Sequence, residues 1–179
     1  MAPIRSLAIL LATALGAAVL TTAPAASAEV LDVTCTPPSS NIATYNPALT
    51  LTPQTVTVVN TAQYGPCTSA SQPTLASGTR TSVNVSSRSC LDLLAATPIA
   101  FTVTWNTGQT STISGNSTTT IAGAVVTFTL TGTVTSGLFA GSTVVQANVA
   151  PSASLLLCTA GLGTVPSFYS LVTLEITSA

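Results

Sequence analysis

The stretch Phe101-Thr-Val-Thr-Trp-Asn-Thr-Gly-Gln-Thr-Ser-Thr112 alternates large apolar residues with threonines and then turns at a glycine. Alternation with a period of two gives a strand with one dry face and one wet face. The opening strand is Ile99 to Trp105, entered through Thr97-Pro98, and its partner is Thr110 to Ser114. Asn106-Thr107-Gly108-Gln109 joins them as a hairpin. The wet face consists of hydroxyls rather than charges. Threonine packs its branched Cβ on a pleated surface while its hydroxyl bonds water, so strand propensity and wettability come together.

The same habit runs along the chain. Strand-like runs cover Glu29 to Thr34, Asn41 to Tyr45, Leu49 to Leu51, Gln54 to Gln63, Thr81 to Ser86, Ser117 to Thr120 and Val125 to Thr135. Further runs cover Val144 to Val149, Leu155 to Cys158 and Tyr169 to Thr177. Breakers separate them, among them Pro37-Pro38, Asn46-Pro47 and Gly65-Pro66. Ile121-Ala-Gly-Ala124 marks a second hairpin, and Ser89 to Leu94 is the one hint of a short helical turn. No run of ten residues keeps a helical period. Short strands at this spacing mean a sandwich or a barrel, and the expected fold is all-β, a disulfide-stapled antiparallel β-sandwich. Cys90, Trp105 and Cys158 follow one another as in immunoglobulin domains, where a tryptophan packs on an inter-sheet disulfide. Leu156 stands where the corner tyrosine belongs, so immunoglobulin topology is the narrower expectation.

The first 28 residues read as a secretory signal peptide. Arg5 gives a positive start, Leu7 to Leu20 an apolar core, and Ala26-Ser27-Ala28 a small-residue cleavage pattern. Cleavage before Glu29 leaves one domain, residues 29–179, exported and free of the membrane. A chain of this size buries roughly 70% of its unfolded surface. Its cations are Arg80 and Arg88, its anions Glu29, Asp32, Asp92 and Glu175, and it has neither lysine nor histidine. Two arginines do not neutralise a phosphate backbone, which argues against a nucleic-acid partner. They do not make a basic membrane patch either.

Four cysteines remain: Cys35, Cys67, Cys90 and Cys158. An even count in an exported chain predicts two disulfides with three possible connectivities. Cys35–Cys67 with Cys90–Cys158 is the simplest, since it joins neighbours. Each bond contributes roughly 4 kcal/mol in the loop-entropy model. No close CxxC pair suggests zinc, and no histidine stands ready to activate a thiol. No metal and no cofactor is expected.

Enzyme chemistry is largely excluded. A Ser-His-Asp triad is impossible without histidine, and no GxSxG motif occurs. A carboxylate pair for glycoside hydrolysis would have to come from four scattered acids. Asp92, with Arg88 nearby, suits a turn or cap better than a catalytic site. The better contact candidates are aromatic. Tyr45, Tyr64 and Tyr169 lie near turns, and Phe139 sits in the glycine-bracketed Gly137-Leu-Phe-Ala-Gly141, which suits a tight bend or an exposed loop tip. Arg88 and Asp92 complete the set of contact candidates.

Ala43-Thr-Tyr-Asn-Pro-Ala-Leu-Thr-Leu-Thr52, Tyr64-Gly-Pro-Cys67, Ser89-Cys-Leu-Asp-Leu93, Trp105-Asn-Thr-Gly-Gln-Thr110 and Ser136-Gly-Leu-Phe-Ala-Gly-Ser142 together resemble small secreted all-β proteins of Streptomyces and related actinobacteria. These motifs are structural punctuation. The resemblance extends to the bridging subunit of umbrella toxin particles, and it implies a domain joining two other secreted subunits. The expected function is therefore a secreted, non-catalytic interaction or adaptor module with another secreted protein as partner. Self-association as a surface or structural protein is the alternative, since Ala124-Val-Val-Thr-Phe-Thr-Leu130 suits stacking.

Overall fold

The computed structural model describes residues 30–178. The expected leader, its cleavage point and Glu29 lie outside the described residues. In chain order the strands are β1 (Val30–Cys35), β2 (Ser40–Leu49), β3 (Gln54–Tyr64), β4 (Cys67–Ser69) and β5 (Gly78–Arg88). A 3₁₀ turn, Leu91–Leu93, precedes β6 (Thr97–Trp105), β7 (Thr110–Ala122), β8 (Val125–Gly137) and β9 (Thr143–Pro151). The helix α1 (Ala153–Thr159) leads into β10 (Val165–Ser178).

The hairpin that opened the reading forms, with Phe101 opposite Ile113 and Thr104 opposite Thr110. Gly108 closes it at a φ of 82°, which a side chain would resist. The second hairpin turns at Gly123, between β7 and β8. Two runs differ from expectation. Leu49 to Leu51 is no separate strand, since β2 continues through Asn46-Pro47 and ends at Leu49. Leu155 to Cys158 is helical, not a strand. Four apolar residues in a row fit either period, and only the burial of Leu155 and Cys158, three apart, settles it.

The sandwich expectation is overturned. Eight strands close into an antiparallel barrel in the order β2-β3-β5-β6-β7-β8-β9-β10, and β10 returns to β2. These strands run from nine to fourteen residues, long enough for their twist to roll one sheet onto itself. β10 makes the closure. One edge pairs with β9 from Leu171 to Thr177. The other pairs first with β2 and then with β1, which lie end to end along it. β1 carries β4 as an outer flap.

Immunoglobulin topology falls with the sandwich. Trp105 packs in one apolar cluster with Tyr64, Val103, Ile113, Val134, Leu174 and Ile176. The Cys90–Cys158 disulfide lies in a second cluster, with Leu49, Val56, Val126, Leu155 and Val165. It ties the turn after β5 to α1. The other disulfide, Cys35–Cys67, joins opposed residues of β1 and β4. The neighbour pairing expected from the sequence is therefore the one observed.

β7 and β8 come very close where Gly115 stands opposite Gly132. A Cβ on Gly115 would run into the Thr131 carbonyl oxygen, and one on Gly132 into that of Ser114. Backbone on both sides cannot step aside. Gly132→Ala should therefore lower the urea midpoint of unfolding by the equivalent of about 1–3 kcal/mol, as overpacking does. An unchanged midpoint would refute the close approach.

Candidate functional site

The barrel is not zipped evenly. β3 and β5 pair along their whole length, from Gln54–Arg88 to Tyr64–Gly78. β5 and β6 pair only at Gly78–Trp105 and Thr79–Thr104. Past Thr79 the two strands part, and a cavity of about 470 Å³ opens in the barrel between the two apolar clusters. All eight barrel strands line it. Val83, Pro98 and Ala100, which strand alternation turns to the outer face of β5 and β6, line it as well. The cavity thus reaches the surface through the β5–β6 gap.

Its wall has two characters. From β9 through β10, β2 and β3 to β5, inward positions carry Gln146, Asn148, Ser170, Asn41, Asn60, Ser82 and Arg80. Ser170 stands opposite Asn41, and Asn60 opposite Ser82, two polar cross-strand pairs separated by the β2–β3 step, where Asn41 faces Ala62 and Asn60 faces Ala43. Across the cavity, β6 and β8 present Phe101, Phe128 and Leu130. Part of the belt is satisfied internally. Tyr64 Oη donates to Gln146 Oε1 at 3.0 Å, and Gln146 Nε2 donates to Asn148 Oδ1 at 3.0 Å. Among the described residues, two buried side-chain atoms have no hydrogen-bond partner: Asn41 Oδ1 and Arg80 Nε. The Arg80 guanidinium lies over the Phe101 ring, 3.9 Å from its centroid.

At the rim, the connection from β5 to β6 is fixed in place. Asp92 accepts hydrogen bonds from the Ser89 hydroxyl and backbone N–H, both at 2.7 Å. These bonds, helped by Arg88 and opposed by slight burial, hold its carboxyl below the ordinary value of 3.8. Asp92 is thus a turn-fixing residue, as its sequence position suggested. The Cys90–Cys158 disulfide anchors the same turn to α1.

The contact candidates separate. Tyr45, Arg88 and Asp92 come together around the cavity. Tyr45 is turned inward rather than presented at a turn. Tyr64 is buried and serves the belt through Gln146. Phe139 is no exposed tip: it packs edge-on against Trp105, with ring centroids 6.1 Å apart. It does so at a φ of 66°, the left-handed conformation its glycine-bracketed bend requires. Tyr169 is 55% exposed on the outer face of β10, away from the cavity.

Sequence reasoning passed over Asn41, Asn60, Arg80, Gln146 and Asn148. A signal existed in β5, whose alternation is inverted. Val83 and Val85 are 65% and 62% exposed while Arg80, Ser82 and Arg88 on the other face line the cavity. Against models of protein families, curated proteins and solved structures, the chain finds no match.

Burial pushes the hydroxyls of Tyr45 and Tyr64 up to about 12 from an ordinary 10, against smaller opposing effects of Arg88 and Arg80 respectively. A phenol with a raised folded value stabilises fully below the unfolded value, and that contribution is lost as pH rises toward the folded one. Stability should therefore fall between pH 10 and about 12. Denaturant titrations across this range should show a shallower fall in Tyr45→Phe and Tyr64→Phe. An equally steep fall in both variants would refute the assignment.

Proposed function

We propose that the protein is a non-catalytic binding domain of the cell exterior that takes a small polar guest into its barrel through the β5–β6 gap. One observation carries this reading: a belt of amides and hydroxyls, with two unpartnered buried atoms, faces an aromatic wall in a cavity open to the surface. Buried polar groups in folded proteins are normally paired, and an unpaired one costs about 1–3 kcal/mol. A guest that pairs them recovers that cost. The cavity's size fits small-molecule sites, which run from roughly 300 to 1,000 Å³. The chemistry favours holding over transforming. Among the described residues, Asp92 is the one carboxylate in the lining, and it is engaged by Ser89. Glycoside hydrolysis needs two carboxylates. Two disulfides fit an oxidising compartment, as the export expected from the sequence requires.

The adaptor role is a second reading, which a different surface favours. Val125, Val149, Pro151, Tyr169 and Leu171 form an apolar depression on the outer face of β8, β9 and β10. A bridging subunit would present such a face to another secreted protein.

Ser82→Trp places an indole in the gap, while Thr81→Trp places one on the outer face of the same strand. Both proteins, checked for fold by circular dichroism, would be incubated with a small-molecule extract of culture medium, dialysed and weighed by native mass spectrometry. The wild type and Thr81→Trp should carry an adduct that Ser82→Trp lacks. Identical spectra for all three would rule out the cavity as the binding site.

A further inference from the structure

We infer that the guest of this cavity bears a carboxylate, which Arg80 receives, beside a hydroxyl or amide hydrogen that Asn41 accepts. The inference deepens the binding reading above and rests on it.

Charge placement is the first argument. The described residues contain two cations, Arg80 and Arg88, and both line the cavity. In a chain wetted by hydroxyls, neither is needed for solubility. Arg88 has Asp92 nearby, close enough to help hold its carboxyl ionised. Arg80 has no carboxylate beside it in the lining, where Asp92 is engaged by Ser89. Arg80 is half-buried with its Nε fully so, and a charge partly withdrawn from water gains from a partner.

Geometry is the second. Phe101 covers one face of the Arg80 guanidinium. The ring takes a face, and the N–H donors point out along the planar edge, part of which lies near the Tyr64 hydroxyl. Nε is buried there without an acceptor. A planar guanidinium with an unused Nε–H donor suits a carboxylate oxygen.

The remaining lining defines the rest of the guest. Asn41 Oδ1 is an unpaired acceptor and calls for a donor. Asn60, Ser82 and Ser117 are neutral groups able to donate and accept. Phe128 and Leu130 offer an apolar surface on the opposite side. The matching class is a small acid with hydroxyl or amide hydrogens beside its carboxylate and one apolar face. A sugar acid and an N-acylated amino acid both satisfy this description.

Two matched pairs of probes distinguish these sources: glucuronate against glucose, and N-acetylphenylalanine against its amide. Titration calorimetry on the full folded domain should show at least one acid binding about tenfold or more tighter than its neutral counterpart, as a charge-assisted pair requires. The first pair reports a saccharide source and the second a peptide-end source. Arg80→Met should abolish the preference, and Arg80→Lys, which keeps charge without the fork, should retain part of it. Thermal unfolding of each variant confirms that it is folded. Equal binding of acid and neutral probes, with both lost in Ser82→Trp, would overturn the carboxylate inference and leave the cavity reading standing. Binding that survives Ser82→Trp, or no binding of any of the four probes at millimolar concentration, would overturn both.

Discussion

The barrel depends on the double edge of β10. Among the described residues nothing else joins β9 to β2, and without that seam the remaining strands would form an open, curling sheet with two unpaired borders. Fourteen residues allow β10 to serve β9 on one side while dividing its other side between β2 and β1. Its alternation is also the cleanest in the chain. Phe168, Ser170, Val172, Leu174 and Ile176 point inward in unbroken sequence. A one-residue slip would expose all of them, so the register is firmly specified. With the circle closed there, the barrel can leave another seam loose. The β5–β6 seam is the loose one, held at one end by Gly78 under Trp105 and at the other by the disulfide-anchored turn.

That unequal closure shapes the interior. A barrel of eight strands is just wide enough for side chains to fill it. Here they fill its two ends with apolar clusters and leave the middle to amides, hydroxyls and the Arg80 guanidinium, with Arg88 at the rim. Such a middle layer is costly unless satisfied. Tyr64, Gln146 and Asn148 satisfy one another in a chain. Arg80 and Asn41 keep bonding capacity that the protein itself does not use. Arg80 lies on β5, beside the open seam.

Much of this was legible in the sequence. The threonine alternation around Trp105 and the turns at Gly108 and Gly123 are local facts, and local patterns report them. Closure is not local. The inward-outward alternation of β7 or β10 reads identically whether its neighbours form two layers or one ring, so the sandwich and the barrel could not be told apart. The belt was hidden for another reason. Alternation is ordinarily read with the polar residues outward, and β5 breaks that convention. Its valines face solvent and Arg80 faces in. Tyr45 and Tyr64 misled for a related reason: each lies near a proline turn, where an aromatic residue is commonly exposed, but both follow the inward parity of their strands.

The economy of charge links the surface to the site. Threonine hydroxyls wet the outer face without disturbing strand geometry, so the fold needs few ions for solubility. Under that regime a retained charge is informative, because a neutral side chain would have served the fold. Arg80 gains a cation–π contact with Phe101, yet that contact leaves its buried Nε without an acceptor. Its position is explained if the barrel is completed by something it does not itself contain. The same argument accounts for the inverted strand. Turning Val83 and Val85 to solvent sacrifices apolar burial, and what β5 gains in exchange is a polar face turned toward the gap.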